Sequence, residues 1–394
     1  MMSRALLGIA RFLGKASIVL FALGTLGSFF PAIPLLGELG PILTSQMGPW
    51  ITILSLVGAV ISLRSWRQSG KRRALFLAGL GAVATIGSAA ILARQLGVAQ
   101  ANGAHIDPAQ VLFARSQSSP NPQPDTVFYS EYDGQKLPLD IYRPTGKKAA
   151  LAPIFVYIHG GGWGAETLKQ READYRWFAD RGYLAISLEY PLSTDARHTW
   201  NVAESQLACA LAWVKSNAAR YGGDPARLAL WGESAGGNLV LNLSYRANAG
   251  TLQSACPGAV PQVRAVIALY PVVDPARMHD NPDPIVGVFG RMMTVRYTGG
   301  TPKQFPDRYK AIASDTHINA DAPPTMLVVP EADHLVDPSA AYAFADRARA
   351  AGIETRLIRM PHAEHAFDLR SGGLGNQMVR QTMLQFLEAH GLRP

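Results

Sequence analysis

The chain has 394 residues, of which 48% are hydrophobic, and a net charge of +8, so it is long enough for one large domain and a further segment. Residues 1–100 carry nine Lys or Arg and one acid, Glu38, so all of the excess positive charge lies there. These basic residues flank apolar runs and do not form one solvated face, which excludes nucleic acid as a partner. Two isolated cysteines exclude zinc and iron–sulfur ligand sets. We expect Cys209 to be a core residue, and nothing in the sequence supports its pairing with Cys256.

Three apolar stretches follow one another at the start of the chain, from Phe12 to Leu36, from Pro41 to Leu63 and from Ala74 to Leu92. Each is close to the roughly 20 residues that a helix needs to cross a bilayer. Pro31 and Pro34 predict a kink or an end in the second half of the first stretch. The pattern predicts a membrane domain over residues 1–96 with three transmembrane helices in contact with membrane lipid.

Basic residues mark one side of these stretches. The loop between the first and second stretch has no Lys or Arg, whereas basic residues precede the first stretch and fill the loop before the third. Because positive charge stays in the cytoplasm, everything after the third helix is predicted to lie outside, in the periplasm of a bacterium with an inner and an outer membrane. A signal peptide and buried core helices remain alternative interpretations. The basic residues concerned are Arg4, Arg11, Lys15, Arg64, Arg67, Lys71, Arg72 and Arg73.

Residues 97–125 are polar and rich in proline, which predicts a linker. From residue 126 to residue 394 the pattern alternates between strands and helices after an opening hairpin across Asp133-Gly134. Such alternation predicts a mostly parallel sheet covered by helices. We expect strands at 127–132, 138–143, 154–158, 183–189, 228–231, 263–270, 325–329 and 355–359, and helices at 168–181, 200–220, 339–351 and 376–390.

The pentapeptide Gly232-Glu-Ser-Ala-Gly236 lies between a buried strand and the start of a helix. This arrangement predicts a nucleophile elbow, a tight turn that exposes the hydroxyl of Ser234 at the top of the sheet. A Cβ on either glycine would crowd the neighbouring strand or helix. The N-terminal N–H groups of the following helix favour negative charge at the serine.

A second motif, His159-Gly-Gly-Gly-Trp163, directly follows a strand. Three consecutive glycines let backbone N–H groups point into a cavity at close range. With the N–H of Ala235, the amides of Gly161 and Gly162 would form an oxyanion hole. His159 is expected to position this loop and not to act as the base.

A serine nucleophile needs a base that is oriented by an acid. Asp333 follows a predicted strand and is the preferred acid, with Asp337 as the alternative and as a candidate helix N-cap. His365 is the preferred base, with His362 as the alternative. The chain order Ser, Asp, His matches an α/β-hydrolase. A metal site at this segment is not expected, because no further ligands with helical spacing accompany the histidines.

The stretch 274–322 has weak periodicity and is long for a connection in a compact domain. It is a candidate lid over the substrate pocket, with Phe289, Met292 and Met293 as apolar contacts. A structural excursion without a role in binding is the alternative.

From about Val127 to the C-terminus the chain resembles the α/β-hydrolase superfamily, and its His-Gly-Gly-Gly-Trp and Gly-Glu-Ser-Ala-Gly-Gly motifs resemble the hormone-sensitive-lipase-like carboxylesterases. The family often has Asp-Pro-Leu at the acid and His-Gly-Phe at the base, where this chain has Asp333-His-Leu and His365-Ala-Phe. The resemblance implies an esterase or lipase that acts through an acyl-enzyme on Ser234, without metal or organic cofactor. Trp163 and Glu233, one in each of the two motifs, are further candidates for the substrate pocket.

Three alternatives to ester hydrolysis remain open at this point. Formamidase-like and peptidase-like hydrolases use the same catalytic groups, and a catalytically silent membrane binding protein would use the fold alone. The natural ester, the acyl chain length and the oligomeric state do not follow from the sequence.

Overall fold

A computed structural model describes residues 4–113, 123–145 and 150–394, with side chains from Leu13 onward. The chain divides into two compact units. The first comprises Met1–Arg115, Pro330–His334 and Met360–Val379, and the second comprises Ser116–Val329, Leu335–Arg359 and Arg380–Pro394. Within the stretch 97–125 that was expected to be a linker, residues 114–122, which include most of its proline-rich centre, lie outside the described residues.

The first unit is dominated by three long helices. Each helix runs antiparallel to the helix that precedes it in the chain. Gly40 packs against Ser28 on the preceding helix, and Thr52 bonds to Ser88 on the following one. A short turn at Gly70 and Lys71 joins the second and third helices. The helices are α1 (Arg4–Phe29), α2 (Leu36–Ser69), α3 (Arg72–Ala101) and the short α4 (Pro108–Phe113).

Two of the helices, α2 and α3, are long and apolar enough to cross a membrane, while the apolar part of α1, Leu13–Phe29, is shorter. The predicted count of three spans is therefore not confirmed, since two helices are full-length candidates and the third apolar helix is shorter. The second stretch also begins earlier than expected, since α2 starts at Leu36 and contains Pro41 and Pro49 within it.

Small residues bring these helices close together. A Cβ on Gly40 would lie 2.5 Å from the backbone nitrogen of Ser28, and one on Gly81 would lie 3.0 Å from the Cβ of Ala59. Hydroxyl pairs add hydrogen bonds between helices, as between Ser28 and Thr44 at 2.8 Å. The outward positions are apolar and exposed, including Leu20, Leu23, Leu54, Leu56, Val57, Ile61, Phe76, Val83 and Ile86. This combination is typical of helices that pack in lipid.

The second unit is built on an eight-stranded sheet in the order β1-β2-β4-β3-β5-β6-β7-β8. The first two strands form the predicted hairpin, and β2 also pairs antiparallel with β4. The pairs β4–β3, β3–β5, β5–β6 and β6–β7 are parallel. The strands are β1 (Asp125–Tyr132), β2 (Gln135–Tyr142), β3 (Ala152–Ile158), β4 (Leu184–Leu188), β5 (Gly223–Glu233), β6 (Ala265–Leu269), β7 (Thr325–Pro330) and β8 (Thr355–Met360).

Helices follow the strands as the alternating pattern predicts. The stretch 274–322 is more ordered than its weak periodicity suggested, because it folds into three helices and a 3₁₀ turn at Ser314–His317. The helices are α5 (Glu172–Ala179), α6 (Ala203–Asn217), α7 (Ala235–Asn248), α8 (Pro275–His279), α9 (Val286–Thr298), α10 (Pro306–Ile312), α11 (Pro338–Ala350) and α12 (Leu374–Ala389).

The two cysteines form a disulfide, Cys209–Cys256, which the sequence did not support. Cys209 is buried on α6, as expected of a core residue, but its partner lies in the loop after α7. The two positions are 47 residues apart, and neither flanking pattern indicates that the fold brings them together. Disulfides persist in oxidising compartments.

Candidate active site

Ser234 lies on a strained turn between β5 and α7. Its backbone has φ 53° and ψ −119°, a conformation that residues other than glycine rarely adopt. A Cβ on Gly232 would lie 2.4 Å from the carbonyl oxygen of Gly236, and one on Gly236 would lie 2.1 Å from that of Ile158. Both glycines are therefore required by close backbone approach, which is the geometry of a nucleophile elbow.

Backbone hydrogen bonds hold this turn in place. The N–H of Ser234 donates to the carbonyl of Leu269 at the end of β6, at 2.9 Å. The carbonyl of Ser234 accepts from Asn238 at 3.1 Å and from Val272 at 3.2 Å. Because α7 starts at Ala235, its N-terminal amides and its dipole favour negative charge beside the serine.

The glycine loop after β3 passes close to the elbow. A Cβ on Gly160 would lie 3.4 Å from the Cβ of Ser234. Gly161 and Gly162 both have positive φ, 81° and 58°. In the part of the chain that the structure describes, no hydrogen bond is formed by the backbone N–H of Gly161 or Gly162. Free amides beside a nucleophile are the donors that an oxyanion requires.

His159 anchors the start of this loop. Its side chain is fully buried, its Nε2 lies 2.9 Å from a carboxylate oxygen of Glu189, and its ring stacks on Tyr190. The Tyr190 hydroxyl in turn donates to the carbonyls of His159 and Gly160. These bonds are those of a loop-positioning residue, the role expected for His159.

Trp163, at the end of the glycine loop, and Met293 of α9 both contribute to the packing of this loop. Trp163 is fully buried and stacks on Tyr297 of α9, with ring centroids 4.5 Å apart and planes 1° from parallel. A Cβ on Gly162 would lie 2.5 Å from the sulfur of Met293, so this side chain covers the loop directly. Met293 therefore covers the glycine loop at Gly162, whereas Trp163 at the end of the loop is held against α9.

Helix α9 also presents an exposed apolar face. Phe289 and Met292 are 50% and 43% exposed. The end of the same stretch is fixed to the elbow helix, because the side-chain amide of Asn238 donates to the carbonyl of Ile312 and to the hydroxyl of Ser314. The stretch 274–322 thus has one firmly held end and one apolar, solvent-facing helix.

Glu233 lies in the interior and not in the expected substrate pocket. Its carboxylate forms an ion pair with Arg171 and accepts a hydrogen bond of 2.7 Å from the hydroxyl of Tyr157. Arg171 also contacts Asp174, which pairs with Arg380. Burial and the nearby carboxylate raise the pKa of Tyr157 well above its usual value, so it remains a neutral donor. This buried network links the end of β5, which leads into the elbow, to α5 and α12.

Asp333 and His365 form a hydrogen-bonded pair in the first unit. The Nδ1 of His365 lies 2.8 Å from Oδ2 of Asp333. The aspartate side chain is 1% exposed and that of the histidine is 15% exposed. A buried carboxylate at Nδ1 fixes the ring orientation and the tautomer of His365, with the proton on Nδ1.

Glu364, which the sequence did not single out, lies beside this pair. One carboxylate oxygen accepts from the backbone N–H of His334 at 2.8 Å and from that of His365 at 3.0 Å. The other oxygen lies 2.5 Å from Nδ1 of His334. Burial raises the pKa of Glu364, and the charge of Asp333 adds to that shift. Among the described residues, no three His, Cys, Asp or Glu side chains cluster so as to hold a metal ion.

The two alternative residues are engaged elsewhere. The Asp337 carboxylate caps α11 through the N–H of Ser339 at 2.9 Å and pairs with Arg277. Partial burial would raise the pKa of Asp337, but the hydrogen bonds from Ser339 and Arg277 outweigh it and lower that pKa. His362 bonds to the carbonyl of Ser28 at 2.8 Å and contacts the ring of Phe29.

Comparison with known proteins shows a likeness to esterases. The chain is 29% identical to the carboxylic ester hydrolase LipM of Mycobacterium tuberculosis over 390 residues, covering 95% of this chain and 87% of that protein. It is 30% identical to the esterase LipQ of the same organism over 64% of this chain and 59% of that one. The solved structure of a Thermogutta terrifontis esterase with propionate bound matches with TM-score 0.57 and 25% identity, over 69% of this chain and 96% of that one.

The sheet order, the elbow and these likenesses together define the class, which is that of α/β-hydrolase esterases, enzymes that hydrolyse carboxylic esters. Within that class, the chain belongs to the BD-FAE family. The family model matches residues 139–347, which is more than half of the length of the chain.

Proposed function

We propose that the protein is a membrane-anchored serine esterase that hydrolyses carboxylic esters through an acyl-enzyme on Ser234. His365 takes the proton of the serine hydroxyl as its oxygen attacks the ester carbonyl, and Asp333 stabilises the imidazolium that forms. The protonated His365 then gives this proton to the leaving alcohol. In the second step His365 activates a water molecule, which releases the acid and restores the serine.

The oxyanion that develops in each step is stabilised by the amides of Gly161, Gly162 and Ala235. Preorganised donors of this kind are worth roughly 3–4 kcal/mol each in the transition state. The positive φ of both glycines supports this role, because it turns their N–H groups away from regular backbone pairing. The proposed steps use no metal and no organic cofactor.

The observation that carries this proposal is the strained backbone of Ser234, enclosed between two glycines that admit no Cβ. Strain of this kind costs roughly 1–3 kcal/mol and persists where function requires it. The parallel order of β3, β5, β6 and β7 adds support, because catalytic groups of such sheets follow the carboxyl ends of the strands.

The direct test is hydrolysis of short p-nitrophenyl esters by the wild-type protein and by Ser234→Ala. We expect the variant to lose at least about 10⁴-fold in kcat and to escape labelling by a fluorophosphonate probe. Retained hydrolysis by Ser234→Ala would refute the assignment. Adding N-formyl aromatic amides and peptide amides to the same panel separates an esterase from a formamidase or a peptidase.

The apolar face of α9 supports a further part of the proposal, a lid that contacts the acyl chain. Replacing Phe289 or Met292 by alanine is expected to raise KM for octanoyl esters several-fold while leaving acetyl esters unchanged, because only a long acyl chain would reach those side chains. Ile285→Ala, at another exposed position near the start of the same helix, is the matched control. An equal effect on both ester lengths would contradict a lid.

The first unit supports anchoring in a membrane with the catalytic groups outside the cytoplasm. From Arg73 to Arg94 helix α3 rises about 32 Å, which matches the hydrocarbon core of a bilayer. The basic residues 64–73 lie at one end of the helices, and the segments carrying Asp333 and His365 contact the other end. The Cys209–Cys256 disulfide also favours an oxidising compartment. A compartment-sensitive reporter fused at the C-terminus tests this, and a cytoplasmic signal would refute it.

A further inference from the structure

The N-terminal helices make side-chain contacts with the segments that carry Asp333 and His365, and all of these groups belong to the first unit. Gln46 of α2 donates to the carbonyl of Ala366 at 3.2 Å, and Gln95 of α3 donates to that of Pro361 at 3.1 Å. Nη1 of Arg94 lies 3.2 Å from Nε2 of His362. A membrane anchor requires none of these contacts.

One series of contacts leads from the turn between α1 and α2 to the proposed base. Nε2 of His334 lies 2.9 Å from the carbonyl oxygen of Pro31. A carbonyl can only accept, so Nε2 of His334 carries a proton, and a further proton lies between Nδ1 and the carboxylate oxygen of Glu364 that it faces. Glu364 then accepts the backbone N–H of His365, whose ring bonds to Asp333.

Two of these contacts occur where the chain departs from the pattern of the family it resembles. His334 stands in place of the proline that often follows the acid, and it is the residue that reaches Pro31. Ala366 stands in place of the glycine that often follows the base, keeps a positive φ of 60°, and accepts from Gln46. The departures therefore coincide with contacts to the N-terminal helices.

We propose that His334 and Glu364 are positioning residues, through which the turn between α1 and α2 sets the placement of His365 and Asp333. The N-terminal helices are then part of the catalytic apparatus as well as an anchor. The inference rests on the proposed function, because it assigns a role relative to the same base and acid. A displacement of about 1 Å at a catalytic group costs on the order of 100-fold in rate.

The test compares full-length variants purified in one detergent. His334→Phe keeps a planar ring but removes both nitrogens, so it breaks the contacts with Pro31 and Glu364. Thr52→Val is the matched control, because it removes the helix–helix hydrogen bond to Ser88, and within the described residues the Thr52 hydroxyl bonds only to Gly48 and Ser88. We expect His334→Phe to lower kcat for p-nitrophenyl acetate about 10- to 100-fold with KM within twofold, and Thr52→Val to leave both constants unchanged.

Glu364 supplies a second and independent pair of variants. Glu364→Ala removes the acceptor for the N–H groups of His334 and His365, and it is expected to lower kcat about 100-fold. Glu364→Gln keeps an oxygen at that position, so it is expected to recover most of the loss. This rescue also covers the case in which His334→Phe does not fold.

Three outcomes would overturn the inference: an unchanged kcat in folded His334→Phe, a change confined to KM, or an equal loss in Thr52→Val. Ser234→Ala separates this failure from failure of the proposed function. If Ser234→Ala is inactive while the His334 and Glu364 variants match the wild type, only the positioning role is wrong. If Ser234→Ala remains active, the proposed function is wrong.

Discussion

The elbow and the segment of the proposed base are held by different means. Around Ser234, backbone lies against backbone, and a Cβ on Gly236 would be 2.1 Å from the carbonyl oxygen of Ile158. Around His365, side chains supply the contacts, as with the adjacent Glu364 on its backbone N–H and the more distant Asp333 on its ring. The turn around Ser234, the proposed nucleophile, therefore tolerates almost no substitution, whereas the placement of the proposed base can be altered by changing single side chains.

This difference indicates which substitutions are expected to abolish the reaction and which are expected only to slow it. Backbone packing in a closely packed interior has no low-cost alternative arrangement. Hydrogen bonds from side chains contribute about 1 kcal/mol each and can be removed one at a time. Substitutions at the elbow are therefore expected to abolish the active structure, and those around His365 are expected to reduce the activity by degrees.

The largest effect is expected from Gly236→Ala. The added methyl collides with the carbonyls of Ile158 and His159, so the elbow must open and Ser234 must move. We expect esterase activity to fall at least about 10⁴-fold, together with a lower melting temperature. Gly79→Ala on α3, where a Cβ meets open space, is the control and should match the wild type. An active Gly236→Ala enzyme would show that the turn is less confined than the structure indicates.

The next largest effect is expected at Asp333, and Asp337, four residues further along the chain, supplies the comparison. Asp333→Asn keeps the shape of the side chain but removes the charge that orients His365, so kcat should fall by up to about 10⁴-fold. Asp337→Asn should leave kcat within twofold, because that carboxylate caps α11. Steady-state kinetics on one ester decides between them, and the reverse result would make Asp337 the acid.

A smaller effect is expected from removing the disulfide. The double variant Cys209→Ala/Cys256→Ala should lose about 2–4 kcal/mol in the free energy of unfolding, since the bridge closes a long loop in the unfolded chain. Its kcat should not change, because the bridge joins α6 to the loop after α7 and not to the elbow. Urea denaturation of wild type and variant, each without reductant, measures the difference. A matched loss of kcat would mean that the elbow depends on α6.

The smallest effect concerns the dependence of stability on pH. The pKa of Asp337 is lowered in the folded state, so its contribution to stability is present above its ordinary value of 3.8 and is lost as the pH falls through the folded pKa. Asp337→Asn should therefore cost about 0.2–1 kcal/mol at pH 7, because the neutral amide no longer pairs with Arg277, and this difference from the wild type should vanish well below pH 4. Thermal unfolding at a series of pH values tests this, and a difference that grows toward acid pH would contradict it.

Much of the fold could be predicted because its signals are local. Continuous β-branched and apolar runs indicated β3, β5 and β7, and Asp133-Gly134 indicated the opening hairpin. The helix bounds were less accurate, since the expected helix at 168–181 forms only at Glu172–Ala179. The spacing of apolar residues indicates that a helix is present but is less informative about where its ends lie.

Long-range pairings could not be predicted in the same way. The disulfide, the Glu233–Arg171 ion pair and the contact of His334 with Pro31 each join residues that are far apart in sequence. A charged residue such as Glu233 next to the nucleophile suggests a substrate contact from sequence, because burial cannot be read from one position. Only the fold supplies the partner that makes such burial favourable.

The sequence by itself determined the class of fold, the elbow around Ser234 and the glycine loop, because these depend on residues that are adjacent in the chain and on backbone conformations that few residue types allow. The tertiary structure decided which carboxylate meets His365, which cysteines pair and which groups hold the segment of the base. Those choices depend on distances between remote parts of the chain, and no local pattern encodes such distances.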